Sequence, residues 1–297
     1  MQIFLVGACL SASPTTPASV LHPASTAATA SACSTRALLA NTFALGFASS
    51  SRLPALRERW TAAGATLSIF PAVNASELDT NALRAAAEPR RRASEFTYAE
   101  RAPLQFGPPG LMHDNTWGTA LAHRNLYEYI VANSIPCALV IEDDAVPVDD
   151  FAQKLQGIVA ELPGDFGHSP DVIKLDDSAL QGEDHENSRL RMSGCALKPE
   201  VAAVGPAATS RLVRGSGYCT TAYVVSLRGA DALLRLQTPT WLTADMVWVG
   251  ARADIVLAPL NMSLRMHRTE PALVYQDQSA ACERDCNGAA DAEQGPL

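Results

Sequence analysis

Five consecutive apolar residues, Cys137-Ala138-Leu139-Val140-Ile141, run without a break into three acids, Glu142, Asp143 and Asp144. A short run that is apolar at every position suits a strand covered on both faces, as in the centre of a mostly parallel sheet flanked by helices. Sheets of this kind place ligand sites in the crevice outside the carboxyl ends of their strands, so the acids are expected to line a crevice and not the core. Three adjacent carboxylates repel one another, and a divalent cation relieves that repulsion. Hard oxygen ligands suit Mg2+ or Mn2+ and leave coordination positions for substrate phosphates. The competing reading is that the acids open the next helix, where negative charge is favourable.

The flanking segments carry the pattern of the same α/β class. Residues 35–49 read as a buried first strand with its approach, and Ser51 stands as an N-cap for a helix in which Leu53, Leu56 and Trp60 recur until Gly64. The run TLSIFPAV (66–73) alternates as a strand, which completes a β-α-β opening. Residues 74–110 show no steady period, contain Arg90-Arg91-Arg92 and Gly107-Pro108-Pro109-Gly110, and read as a long surface excursion. Asp114 then caps a helix to about Ala132, with Thr116, Ala120, His123, Tyr127 and Ile130 on one stripe. After the acids, Phe151, Leu155, Ile158, Val159 and Leu162 form one helical face that Pro163-Gly164 ends. DVIKL (171–175), TTAYVV (220–225) and IVLAPL (255–260) read as further strands, with Ser226 capping a helix through Ala230, Leu233 and Leu234. Asp176 and Asp177 follow a strand as the first acids do, and helix capping is the simpler account of them.

A chain of 297 residues with 47% apolar content can bury a full core, and its formal charge of −8 argues against a nucleic-acid partner, which would need a basic face. No stretch approaches the ~20 apolar residues of a membrane-spanning helix. The start, MQIFLVGACLSA, has an apolar run with no preceding Lys or Arg, so two readings stay open. A signal peptide would lead to a secretory-pathway lumen; its absence would leave the chain in the cytoplasm. Residues 1–35 are read as a Ser/Thr/Ala/Pro-rich leader, 36–279 as one domain and 280–297 as a small, polar tail. The seven cysteines lack metal-site spacing, and only Cys282 and Cys286 lie close together. The sequons at Asn74 and Asn261 matter only for a secreted chain.

Four segments, in order, resemble glycosyltransferase family 25, which includes lipopolysaccharide glycosyltransferases and collagen galactosyltransferases. They are WGTALAHRNLYEYIV (117–131), ALVIEDDAVPVDDF (138–151), TTAYVVSLRGADALL (220–234) with Asp245 beyond it, and PALVYQDQS (271–279). A weaker likeness spans Arg52 to Val73, and the departures are Asn74-Ala75 for the usual Asp-Gly and Ala122 for the usual Ser before His123. The resemblance implies a single GT-A type domain, a nucleotide-sugar donor with UDP-galactose foremost, and a glycan or glycoprotein acceptor.

It also implies roles. Glu142 and Asp144 are the expected metal ligands for Mn2+ or Mg2+, and Arg52, His123, Asp143 and Gln276 are the expected donor- or acceptor-binding residues. Asp245 is the expected general base for an inverting transfer, with His267 a late contributor to the metal or diphosphate. Each has a structural alternative: His123 as a satisfied core residue, Asp245 as a cap, His267 as a surface histidine and Gln276 as a strand-end residue. Two other classes compete, a metal-dependent phosphate enzyme such as a phosphatase and a non-catalytic carbohydrate-binding relative. Metal-dependent release of nucleotide from sugar nucleotides separates all three.

Overall fold

The computed structural model describes residues 33–98, 114–162, 170–176, 210–214, 220–240 and 264–277, all within one compact unit that spans Ala32–Leu297. In chain order the elements are α1 (Thr35–Ala40), β1 (Thr42–Gly46), α2 (Leu53–Ala62), β2 (Leu67–Pro71), α3 (Thr80–Tyr98), α4 (Asp114–Ala132), β3 (Cys137–Glu142) and β4 (Ala145–Pro147). They continue with α5 (Phe151–Ala160), β5 (Val172–Lys174), β6 (Arg211–Arg214), β7 (Ala222–Ser226), α6 (Leu227–Leu236), β8 (Met266–Glu270) and β9 (Val274–Gln276).

The apolar run forms β3, whose side chains divide between two cores because successive residues of a strand face opposite ways. Ala138 and Val140 join Leu126, Tyr127, Ile130, Leu233 and Leu236 on the face covered by α4 and α6. Cys137, Leu139 and Ile141 join Leu38, Leu56, Trp60, Phe151, Leu155 and Ile158 on the face covered by α1, α2 and α5. The result is a three-layer α/β/α arrangement around a sheet of order β2-β1-β3-β7-β5-β8-β6. β1, β2, β3, β5 and β8 point one way, while β7 and β6 are antiparallel to their neighbours. β4 and β9 form a separate antiparallel pair, Ala145 opposite Gln276 and Pro147 opposite Val274.

Several elements differ from the sequence expectation for identifiable reasons. Residues 35–40 are helical: Ser34 caps α1 through Ala37 N, and the first strand begins only at Thr42. Ser51 does not cap α2; Arg52 stands at the N-cap without a side-chain bond, and Pro54 in the first turn supplies a fixed φ suited to a helix start. Gly64, at φ 85°, ends the α2 segment as expected. Within 74–110, where no apolar period was found, α3 forms from a run rich in Ala and Arg, both strong helix formers. Among the described side chains of α3, Leu83 and Ala87 reach the core, too few to mark a stripe. Ser226 caps α6 by accepting from Gly229 N at 3.0 Å. The segments 255–260 and 280–297 lie outside the described residues.

Cys33 and Cys137 form a disulfide across 104 residues of sequence, with Cα atoms 5.7 Å apart. Cys33 is buried, so the fold takes in residues 33–35, which the sequence reading assigned to the leader. On the opposite face, Gly118 of α4 packs against the single 3-10 turn Ala75–Glu77, and a Cβ there would fall 2.5 Å from the carbonyl oxygen of Val73. Among the described residues no helix is long and apolar enough to cross a membrane.

Candidate active site

β1, β2 and β3 run parallel and deliver their carboxyl ends to one edge of the sheet, where the three acids emerge from β3. The acids do not point at a common centre. Each is taken by a different set of neighbours.

Glu142 turns toward the entry to β7. The Thr220 hydroxyl donates a short hydrogen bond to its Oε1, and its backbone N donates to the Thr221 carbonyl at 2.9 Å. His123 lies fully buried beneath it, with Nε2 3.5 Å from the same Oε1. The other ring nitrogen of His123, Nδ1, is 2.8 Å from the Tyr223 hydroxyl, which is in turn 3.0 Å from the Tyr127 hydroxyl. Burial pushes the Glu142 carboxyl up, but the His123 contact, the Thr220 bond and the Lys174 charge together outweigh it and hold the group below its ordinary value. Burial beside Tyr127 pushes the Tyr223 phenol well above its ordinary value, so the hydroxyl stays protonated.

Asp143 turns the other way, toward the loop after β1. Ser50 Oγ donates to Oδ2 at 3.1 Å, and Arg52 meets Oδ1 at 3.2 Å. Gly46, at the end of β1, leaves room for this: a Cβ there would already touch the Asp143 Cβ at 3.6 Å.

Asp144 is buried. Gln276 Nε2 donates to its Oδ2 at 2.9 Å, and Asp277 N donates to its carbonyl at 2.7 Å. Its Oδ1 is enclosed and has no hydrogen-bond partner among the described residues. Burial first, then the charge of Glu142, raise the Asp144 carboxyl to about 6, against the lowering bond from Gln276. An enclosed carboxylate oxygen without a donor is costly unless a cation or proton meets it.

A fourth acid stands behind these three. Asp176 is buried in a short ion pair with Lys174, which is itself fully buried, and its Oδ2 accepts from Thr221 N at 3.1 Å. Burial raises the Asp176 carboxyl to about 6 despite the Lys174 charge, helped by the charge of Glu142. Asp176 bridges to Val274 at the point where β5 ends beside β9, and the residues that a cap would serve lie outside the described residues.

The structure thus brings Glu142, His123, Asp143, Arg52, Asp144 and Gln276 into one neighbourhood. His267 lies in β8, opposite Ile173 in register. Asp245 and Asp177 lie outside the described residues. Sequence reasoning gave no site role to Ser50, Thr220, Lys174 or Tyr223, although Thr220 and Tyr223 lie in the segment 220–234 and Lys174 in the strand 171–175; Tyr127 was placed on a helical stripe within 117–131.

Among the described residues no group of three or more His, Cys, Asp or Glu converges to hold a metal ion. The donor set fits a cation bound in another manner, by one or two carboxylates with substrate phosphates and water completing the shell. The enclosed Asp144 Oδ1 is a carboxylate oxygen left for such a bond among the described residues.

No curated protein matches the chain. The sequence profile of glycosyltransferase family 25 (LPS biosynthesis protein) matches residues 47–248, which include Arg52, His123 and the three acids. That match decides among the three enzyme and binding classes considered from the sequence. Spanning more than half of the chain and every strand from β2 to β7, it shows that the protein belongs to glycosyltransferase family 25 and is a glycosyltransferase.

Proposed function

We propose that this glycosyltransferase moves a hexose, galactose foremost, from a nucleotide sugar such as UDP-galactose to a hydroxyl of a glycan, lipid-linked or protein acceptor. The transfer is metal-dependent and inverts the anomeric centre, on a domain of the GT-A type. The observation that carries the metal dependence is Asp144, whose enclosed Oδ1 has no donor among the described residues while two further carboxylates, the half-buried Glu142 and the buried Asp176, stand nearby. Such a cluster favours a divalent cation over an empty site.

When bound, Mn2+ or Mg2+ neutralises the diphosphate charge that develops as the donor bond breaks. Asp144, with Glu142, would hold it. Arg52, held on Asp143, supplies a cation on the β1 side of the same crevice for the donor phosphates. Gln276 orients Asp144, and His123 serves the pocket through Glu142, which it supports from within the core. The acceptor oxygen attacks the anomeric carbon opposite the leaving nucleoside diphosphate, and Asp245 takes the hydroxyl proton.

A screen of nucleotide sugars with Mn2+, reading nucleotide release with and without acceptor glycans, tests the reading. Release from one donor, abolished by chelation and restored by Mn2+ or Mg2+, is the expected result. Full turnover after exhaustive metal removal overturns the metal assignment, and turnover of a different sugar overturns the galactose choice.

A further inference from the structure

We infer that Thr220 is a positioning residue for the transfer reaction, its hydroxyl setting the orientation of the Glu142 carboxylate from a strand entry that the buried Lys174–Asp176 pair locks in place. The inference rests on the donor and metal reading of the site given above.

Thr221 is anchored on both sides of its peptide. Its N–H donates to Asp176 Oδ2 at 3.1 Å, and its carbonyl accepts from Glu142 N at 2.9 Å. The residue before it therefore enters β7 at a fixed height above β3. From there the Thr220 side chain, itself buried, reaches Glu142 Oε1. His123 Nε2 approaches the same oxygen from the core side. A carboxylate is planar, so the Thr220 bond on one oxygen, with the His123 ring beside it, restricts where the second oxygen lies.

The anchor behind Thr221 is built from charges where apolar residues would serve the core. Lys174 and Asp176 are both buried, and such a pair contributes little net stability because desolvation offsets the attraction. What the pair supplies is direction. Lys174 engages Oδ1 of Asp176, leaving Oδ2 aimed at Thr221 N. The β5 strand that carries both residues is antiparallel to β7, with Lys174 opposite Tyr223, the residue that contacts His123. Both supports of Glu142, the threonine and the histidine, thus refer back to one strand pair.

The test is Thr220→Val, which keeps shape and removes the hydroxyl, beside Thr220→Ser, which keeps the hydroxyl. A hydrogen bond to a charged group is strong enough that its loss should raise half-saturating Mn2+ and donor KM by about tenfold or more. With metal and donor saturating, kcat should stay within about threefold, and the melting temperature should fall by only a few degrees, since the change keeps the side chain's size and removes one hydrogen bond. Thr220→Ser should restore both constants. Wild-type half-saturation in Thr220→Val, or equal impairment in Thr220→Ser, overturns the inference. Asp176→Asn must move the same two constants in the same direction; a fall in melting temperature alone makes the ion pair merely structural and removes the anchor. If the wild-type enzyme turns over without metal, the metal reading fails separately, and donor KM alone still decides the role of Thr220.

Discussion

Gln276 Nε2 donates to Asp144 Oδ2 at 2.9 Å, so the last residue of β9 holds one oxygen of the third acid and leaves the other without a donor among the described residues. The β4–β9 pairing that sets Ala145 opposite Gln276 fixes this relationship through the backbone. Replacing Asp144 with Ala should therefore weaken the intact nucleotide sugar by about tenfold or more, while a nucleoside without phosphates binds within a few fold of wild type. Isothermal titration with both ligands in the presence of Mn2+ measures the difference. Equal losses for the two ligands would remove Asp144 from the diphosphate side.

The raised Asp144 and Asp176 carboxyls predict an unusual pH profile for the metal-free protein. Both titrate at about 6 in the fold and near the ordinary 3.8 when unfolded. The folded state therefore binds more protons in this window. Their contribution to stability is fully present below 3.8 and is lost as pH rises through about 6. Glu142, held below its ordinary 4.5, acts in the opposite sense, but only below that value. With chelator present, melting temperature should fall between pH 5 and pH 7 from these groups. Because metal competes with the Asp144 proton, the stabilisation given by Mn2+ should grow over the same interval. A metal-induced shift that shrinks with rising pH contradicts the assignment.

For Asp245, the amide is the informative change. A general base contributes typically ~10²–10⁴-fold to rate, so Asp245→Asn should lower kcat by about that range with donor affinity within a few fold. Loss of donor binding would move Asp245 to the metal or ribose side. Nearly full kcat in a folded variant would send the search for the base elsewhere.

Gly118 tests the fold and not the chemistry. Its Cβ position lies 2.5 Å from a backbone oxygen, which no side-chain adjustment relieves. Gly118→Ala should cost about 1–3 kcal/mol by overpacking, seen as a melting temperature lowered by roughly 2–4 °C for each kcal/mol. An unchanged melting temperature would mean that the turn before α3 moves freely against α4.

What the sequence disclosed follows from the range of the interactions involved. The β3 run and its acids were legible because burial on both faces leaves an unbroken apolar string, and the helices α2, α4, α5 and α6 because each lays one stripe on the sheet. The helix α3 was not, since among its described side chains it touches the core through Leu83 and Ala87. Strand direction was also hidden: TTAYVV reads the same whether β7 runs with β3 or against it, and it runs against. Thr220 and Lys174 owe their roles to partners 78 and 2 residues away in sequence, in the first case through a strand pairing that no local pattern records. His123 was placed on a buried stripe, and it is buried; its contact with Glu142 depends on how α4 crosses β3.

The Cys33–Cys137 bond joins the residues just before α1 to the first residue of the acid-bearing strand. The chain between them contains β1, β2 and the helices α1 to α4, and with them Ser50, Arg52 and His123. All of these side chains that support the acids from the N-terminal half therefore sit on a covalently closed ring. A single proteolytic cut anywhere on that ring leaves both fragments attached, so enzyme nicked between Arg52 and Cys137 would run as one species until a reductant separates the piece carrying Ser50 and Arg52 from the piece carrying the acids.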